Sequence, residues 1–293
     1  MKLKISKLIP SAALLCVVLA SCKKNEAVTT PAAATGSPVA KTTSMIGAMA
    51  NESDLELTDA LVSNDKADNS SSCRTVTFIP SEDVYPHTKI IDYGSGCTDK
   101  NGITRSGKRF STIYADEQTA PAGKVVSVTT FSNYYVEGVS MTGNVKISVV
   151  TPASSGNLVL RIVGNKTITD TDGNTSSFVS TDTQTQIAGG GDDIAANDVF
   201  QLTGTSYGTE VLGDSTMVVW KGETDASNPV IKMASCSFRS QGVLMLTLKV
   251  NGDPTNESLD YGNGDCDDMA TLKIDGQDPQ QITLPFFFFE PGW

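Results

Sequence analysis

Ile91-Asp92-Tyr93-Gly94-Ser95-Gly96-Cys97 returns far downstream as Leu259-Asp260-Tyr261-Gly262-Asn263-Gly264-Asp265-Cys266. In each copy an apolar residue, an aspartate and a tyrosine end a strand and run into a glycine turn that delivers a cysteine. Each copy also has a cysteine upstream, Cys73 for the first and Cys236 for the second. Gly94, Gly96, Gly262 and Gly264 mark bends, because glycine accepts positive φ without strain. Asp92 and Asp260 belong to the same turns, where aspartate is a favoured residue. A duplicated Cys…Asp-Tyr-Gly…Cys unit describes how backbone is bent and stapled. It names no chemistry, and no catalytic residue is assigned from it.

Between and around the two copies the texture is alternation. Val145, Ile147 and Val149 point one way while Lys146 and Ser148 point the other; Leu158, Leu160 and Ile162 repeat the pattern, as do Leu244, Leu246 and Leu248. Period-two patterning rich in Val, Ile, Thr, Tyr and Phe predicts half-buried antiparallel strands. Asn101-Gly102, Asp172-Gly173, Gly213-Asp214, Asn251-Gly252 and Asp275-Gly276 supply hairpin turns. No amphipathic helix is legible after Cys73. The expectation is an all-β fold, a hairpin-rich antiparallel sheet or sandwich with two disulfide-stapled half-units, forming one domain over residues 67–293. Two segments stand apart. Ser176 to Ile187 is polar on both faces, which predicts an edge or a place wet on both sides. Phe286 to Phe289 puts aromatics on both faces of a last strand, which predicts cover on both sides, with an exposed patch for a partner as the alternative.

The amino end reads as an address. Lys2, Lys4 and Lys7 precede an apolar run to Ala20, then Leu19-Ala20-Ser21-Cys22. A basic head, a short apolar core and small residues before the cut describe a secretory signal over residues 1–21. The run is too short to span about 30 Å of hydrocarbon as a helix. A cysteine directly after Leu-Ala-Ser is similar to a bacterial lipoprotein signal, which implies acyl chains on Cys22; the alternative is an ordinary signal that happens to precede a cysteine. Residues 22–66 are rich in Thr, Ala, Pro and Ser and too poor in apolar anchors to offset ordering entropy, so they read as a flexible tether. Within it, Ser53-Asp54-Leu55-Glu56 has capping-box spacing for a short helix over 54–62.

Charge narrows the partners. The chain carries 33 acidic and 22 basic residues, a net charge of −11. Loss of residues 1–21 takes away three lysines and leaves −14. Such a surface repels phosphate backbones, so no nucleic acid partner is expected. Membrane attachment has to come from acyl chains rather than from a basic face. Arg105, Lys108 and Arg109 form a local exception, read as neutralising Asp92, Asp99 and Asp116 rather than as an anion site.

An exported chain lives where disulfides persist. Cys73, Cys97, Cys236 and Cys266 allow three pairings, and the duplication favours Cys73–Cys97 with Cys236–Cys266. A zinc site is disfavoured, since no two of these form a Cys-x-x-Cys pair. The single histidine, His87, lacks a Gly-x-Ser-x-Gly elbow to work with and reads as surface. Asp170-Thr171-Asp172-Gly173-Asn174 resembles the head of an EF loop, but its glycine falls two positions early and Thr181 stands where the bidentate Glu belongs. It reads as a hairpin turn. Calcium held by Gly191-Asp192-Asp193 or Asp265-Cys266-Asp267-Asp268 stays open beside a plain turn reading. No other cofactor is expected. Paired carboxylates for glycosidase work need a spatial separation that sequence spacing cannot supply in a β protein.

Asp92-Tyr93-Gly94-Ser95-Gly96-Cys97-Thr98 and Asn101-Gly102-Ile103-Thr104-Arg105-Ser106-Gly107-Lys108 together resemble a family of Bacteroidota lipoproteins without an assigned activity. That resemblance implies location and architecture, not a catalytic residue. The reading that follows is an exported, outer-membrane lipoprotein anchored through Cys22, serving binding or structural ends, with a glycan or a protein as partner. A glycan hydrolase using carboxylates on the sheet and a calcium-stabilised adhesive module are the alternatives.

Overall fold

The computed structural model describes residues 73–99, 102–190, 197–212, 215–236 and 238–284. Apart from one 3-10 turn at Ala153–Ser155, the regular elements among them are strands. In chain order these are β1 (Thr75–Ile79), β2 (His87–Asp92), β3 (Cys97–Thr98), β4 (Thr104–Ile113) and β5 (Val125–Val136). Then come β6 (Val139–Thr151), β7 (Val159–Thr169), β8 (Thr175–Ala188), β9 (Val199–Val211) and β10 (Met217–Thr224). The last five are β11 (Val230–Met233), β12 (Gln241–Val250), β13 (Asp253–Asn263), β14 (Met269–Ile274) and β15 (Gln280–Thr283).

They form one antiparallel sheet, not the two sheets of a sandwich. Its order is β1-β2-β4-β5-β6-β7-β8-β9-β10-β12-β13-β14-β15, with β3 beside β4 and β11 bridging β9 and β12. This is a meander: nearly every strand pairs with its sequence neighbour, as short hairpin turns require. Asn251 and Gly252 between β12 and β13 both have positive φ, 52° and 101°, as a two-residue primed turn demands. Glu137-Gly138 between β5 and β6 does the same, with φ 49° and 83°, a turn the dipeptide list above lacks.

Alternate residues of most strands are buried, and the buried set is apolar over most of its length. Among the described residues no helix or second sheet covers that face, so the sheet curls over itself. The larger core draws on strands from β2 to β15, including Tyr93, Tyr134, Phe178, Trp220, Leu246 and Tyr261. A smaller one fills the far halves of β5–β7 around Ile147, Leu160 and Val126. Between the two, inward positions carry Lys89, Arg109, Lys166 and Gln184, each at most 3 % exposed. The three cations are all engaged in interactions, as buried charge must be. Lys166 reaches past Gly143, its partner on β6, to lie 5.9 Å from the Phe131 ring centre.

The polar strand is a correction. Ser176 to Ile187 falls within β8, seventh of the thirteen strands on the main path and paired on both sides. It is no edge, and its face is fixed: Ser176, Phe178, Gln184 and Gln186 are buried while Ser177, Val179 and Ile187 are exposed. Inward polarity is tolerated there because β8 crosses the polar zone between the two cores. Only its middle, Ser180 to Thr183, is partly wet on both faces. Phe286 to Phe289, the signal, the tether and the 54–62 helix lie outside the described residues.

Candidate binding surface and the duplicated turns

Both predicted bridges form. Cys73 and Cys97 have Cα atoms 5.3 Å apart, and Cys236 and Cys266 5.6 Å apart. Each closes the open end of one hairpin, β1–β2 for the first and β12–β13 for the second. Strand direction alternates along the sheet, so the two bridges stand at opposite ends of it. Disulfides persist in oxidising compartments, which puts this chain outside the cytoplasm.

The turns repeat atom for atom at their core. The Asp92 carboxylate accepts the Gly94 amide at 2.8 Å, and the Asp260 carboxylate accepts the Gly262 amide at 2.9 Å. Gly94, Gly262 and Gly264 have φ of 59°, 93° and 116°, whereas Gly96 does not enter the left-handed region. A side chain at Gly94 or Gly262 would meet nothing within 4 Å, so the demand for glycine there is conformational. Tyr93 and Tyr261, the residues before these glycines, are buried in the larger core. One detail differs from the sequence reading: β13 continues through Gly262 to Asn263, which pairs with Gln241 across a bulge at Gly242. The strand therefore does not end at the tyrosine.

Two of the three members of the basic cluster meet acids named for them in the sequence. Arg105 meets Asp99 at 2.6 Å, and Lys108 meets Asp92 at 2.7 Å. The latter bond, with the Gly94 amide, holds the Asp92 carboxyl below its usual range. Arg109 is instead buried on the inner face. The EF-like run is a self-contained turn: the Asp170 carboxylate accepts the amides of Asp172 and Asn174 at 2.8 Å. Asp267 likewise accepts the Met269 amide. Among the described residues no three His, Cys, Asp or Glu side chains stand close enough to hold a metal ion; residues 191–196 lie outside them.

His87 is a second correction. It opens β2 and is 2 % exposed rather than on the surface. Its ring stacks on Tyr85 and meets Phe78 edge-on, and Nδ1 lies 3.1 Å from the Val84 carbonyl. The bend between β1 and β2 folds back over the strand start and covers the imidazole. It packs.

One carboxyl is poised near neutrality. Burial pushes Glu117, in the connection from β4 to β5, up to about 7, and Asp116 and Asp198 add to the rise. Asp198 comes from the β8–β9 connection and accepts a hydrogen bond from Gln186 at 2.9 Å. Because the folded state holds this proton above the ordinary value of 4.5, stability falls as pH rises from about 4.5 to about 7. Glu117→Gln is therefore expected to stabilise the chain at pH 8 by about 2 kcal/mol, a figure discounted for partial solvent exposure, and to do nothing at pH 4. Urea midpoints at the two pH values check this; an equal effect at both would refute it.

The feature with the clearest outward address is elsewhere. On the outer face Val179 of β8 pairs with Tyr207 of β9, and Tyr207 with Lys221 of β10. Val211 pairs with Met217 one turn of the pattern away, and Val219 lies between. These five apolar side chains are 43–55 % exposed: Tyr207 55 %, Met217 53 %, Val179 47 %, Val211 44 % and Val219 43 %. Scattered singly they would need no explanation, but on three adjacent strands they make one patch. Sequence reading missed it, because exposed apolar residues are legible only once strand neighbours are known. Comparison with known proteins adds no name to this surface: no family model, no curated protein and no solved structure matches the chain.

Proposed function

We propose that this chain is a non-catalytic binding module of the bacterial cell envelope, exported, held in the outer membrane by acyl chains on Cys22, and engaging its partner through the outer face around Tyr207. The observation that carries the reading is the exposed patch of Tyr207, Val179, Val219, Val211 and Met217 on neighbouring strands. A contiguous apolar patch in contact with water is a standing cost that an interaction relieves. The secretory head, the lipoprotein-like cleavage site, the polar tether and the disulfides favour the location.

Two measurements test it. Cys22→Ser is expected to leave the domain folded but move it from the membrane pellet to the soluble fraction; retention in the pellet would remove the anchor. Purified domain from Ser71 onward is expected to be retained by isolated envelope material, and Tyr207→Glu with Val179→Asp is expected to abolish retention. Equal retention of the variant would remove the surface. Both substitutions fall on exposed positions, where effects on folding are usually within about 0.5 kcal/mol.

A further inference from the structure

The outward positions of β6–β9 are mostly hydroxyl and amide side chains, such as Ser148 of β6, Asn165 of β7, Thr181 and Thr183 of β8 and Thr203 of β9, with a few apolar residues among them. Not one outward position on these four strands is Asp or Glu. The acids of this region are turn residues, such as Asp170 and Asp172, or inward ones, such as Asp182 and Glu210. In a chain of net charge −11, an acid-free face across four strands is where an anionic partner meets least repulsion.

Two cations stand on it. Lys146 of β6 and Arg161 of β7 are both exposed, and neither makes an ion pair with a described residue. Lys146 pairs with Val163 and Ser148 with Arg161, so the two cations are diagonal neighbours, about 7–8 Å apart at Cβ. Hydroxyls surround them: Ser148 beside Arg161 on one side and Thr183 on the other, with Thr181 across from Val163. Tyr207 lies two strands beyond Arg161, roughly 16 Å from either cation by strand and residue spacing.

We propose that the outer face of β6–β9 binds an acidic polysaccharide bearing uronic-acid carboxylates, with Arg161 and Lys146 taking a carboxylate and Tyr207 taking the face of a sugar ring. The inference rests on the binding-module reading above and names the partner's chemistry. The guanidinium fork matches a carboxylate bidentately, with the ammonium as a second point charge. Hydroxyl and amide side chains in rows pair with sugar hydroxyls in either direction, as donors or acceptors. An exposed tyrosine offers a flat apolar ring with a polar end, which suits a sugar's apolar face. A membrane surface fits less well. Two basic residues attract anionic lipid only weakly, and the remaining acidic surface opposes approach.

The test uses the full chain carrying Cys22→Ser and four probes: polygalacturonate, alginate, hyaluronate and phosphatidylglycerol vesicles, with dextran and the carboxyl-reduced form of each polysaccharide as neutral controls. Binding to at least one acidic polysaccharide is expected, weakened tenfold or more by carboxyl reduction and by 200 mM salt. Lys146→Glu with Arg161→Glu is expected to abolish it. Tyr207→Ala is expected to weaken it about tenfold while leaving the salt dependence unchanged. Lys249→Glu, on the outer face of β12, is expected to do neither. Melting curves of each variant exclude misfolding. Failure of all three polysaccharides, equal binding of the carboxyl-reduced forms, or binding to vesicles alone overturns the inference. If envelope retention is still lost on changing Tyr207, the surface stands and only the ligand class falls.

Discussion

Cys236→Ser with Cys266→Ser is expected to lower the stability of the folded chain by about 3.5 kcal/mol, because a closed loop of this length is removed from the unfolded ensemble. The bridge spans 30 residues and ties the ends of β12 and β13. Those strands carry Leu246, Leu248, Leu259 and Tyr261, each at most 2 % exposed, so the cost is expected in global unfolding. The other bridge differs in kind. Cys73–Cys97 spans 24 residues, and the same entropy argument also gives about 3.5 kcal/mol. Yet the strand it secures, β1, has no buried residue. Without the bond, β1 is expected to fray, which returns part of the loss. Cys73→Ser with Cys97→Ser should therefore show a smaller global loss and rapid exchange of the β1 amides. Urea unfolding with hydrogen exchange on both double variants separates the two cases. An unchanged urea midpoint for the Cys236/Cys266 variant would overturn the first expectation, and full β1 protection the second.

Gly208→Val is the substitution expected to do most harm for the fewest atoms. Gly208 of β9 sits directly opposite Trp220 of β10 and Phe178 of β8. A Cβ built there would stand 2.4 Å from two atoms of the indole ring. The ring lies across the bare glycine, a way for an aromatic to cover a strand position that has no side chain. Trp220 is 2 % exposed, with Phe178 at 6.0 Å, so it has no empty space to swing into. Valine is the better strand former by up to about 1 kcal/mol, but overpacking costs about 1–3 kcal/mol and displacement of the indole 3–5 kcal/mol. The clash wins, and a net loss of about 3 kcal/mol is expected. In a Trp293→Phe background, Trp220 is the sole indole, and its emission should shift to the red. Adding Trp220→Ala to Gly208→Val should cost less than the two single losses combined; strict additivity would show that the contact is absent.

The sequence reading recovered the pairing of the cysteines, the strand content and most turns because these depend on local chemistry. Asp92-Tyr93-Gly94 and Asp260-Tyr261-Gly262 each carry their own hydrogen bond and their own positive φ, so no distant residue was needed to see them. What it missed depends on neighbours. Ser176 to Ile187 looked faceless because most of its inward residues are themselves polar; Asp182 and Gln184 point inward between Gly204 and Leu202 on one side and Ile162 and Leu160 on the other, so their face is set by neighbouring strands rather than by their own hydrophobicity. His87 looked exposed because its cover, Tyr85 and Phe78, arrives by a chain reversal. The acid-free face was legible in principle: once the parity of β8 and β9 is fixed by Phe178 and Leu202, Asp182 and Glu210 fall inward. Without that parity they are two acids among many.

Hydroxyl-radical footprinting of the domain with and without isolated envelope polysaccharide tests the working surface most directly, since tyrosine and methionine side chains report their own exposure. Tyr207 and Met217 on the outer face are 55 % and 53 % exposed; Tyr85 and Tyr114, at one end of the sheet, are 47 % and 39 % exposed. Loss of reactivity at Tyr207 and Met217, with Tyr85 and Tyr114 unchanged, is the result predicted. Protection at Tyr85 and Tyr114 while Tyr207 stays reactive would contradict it.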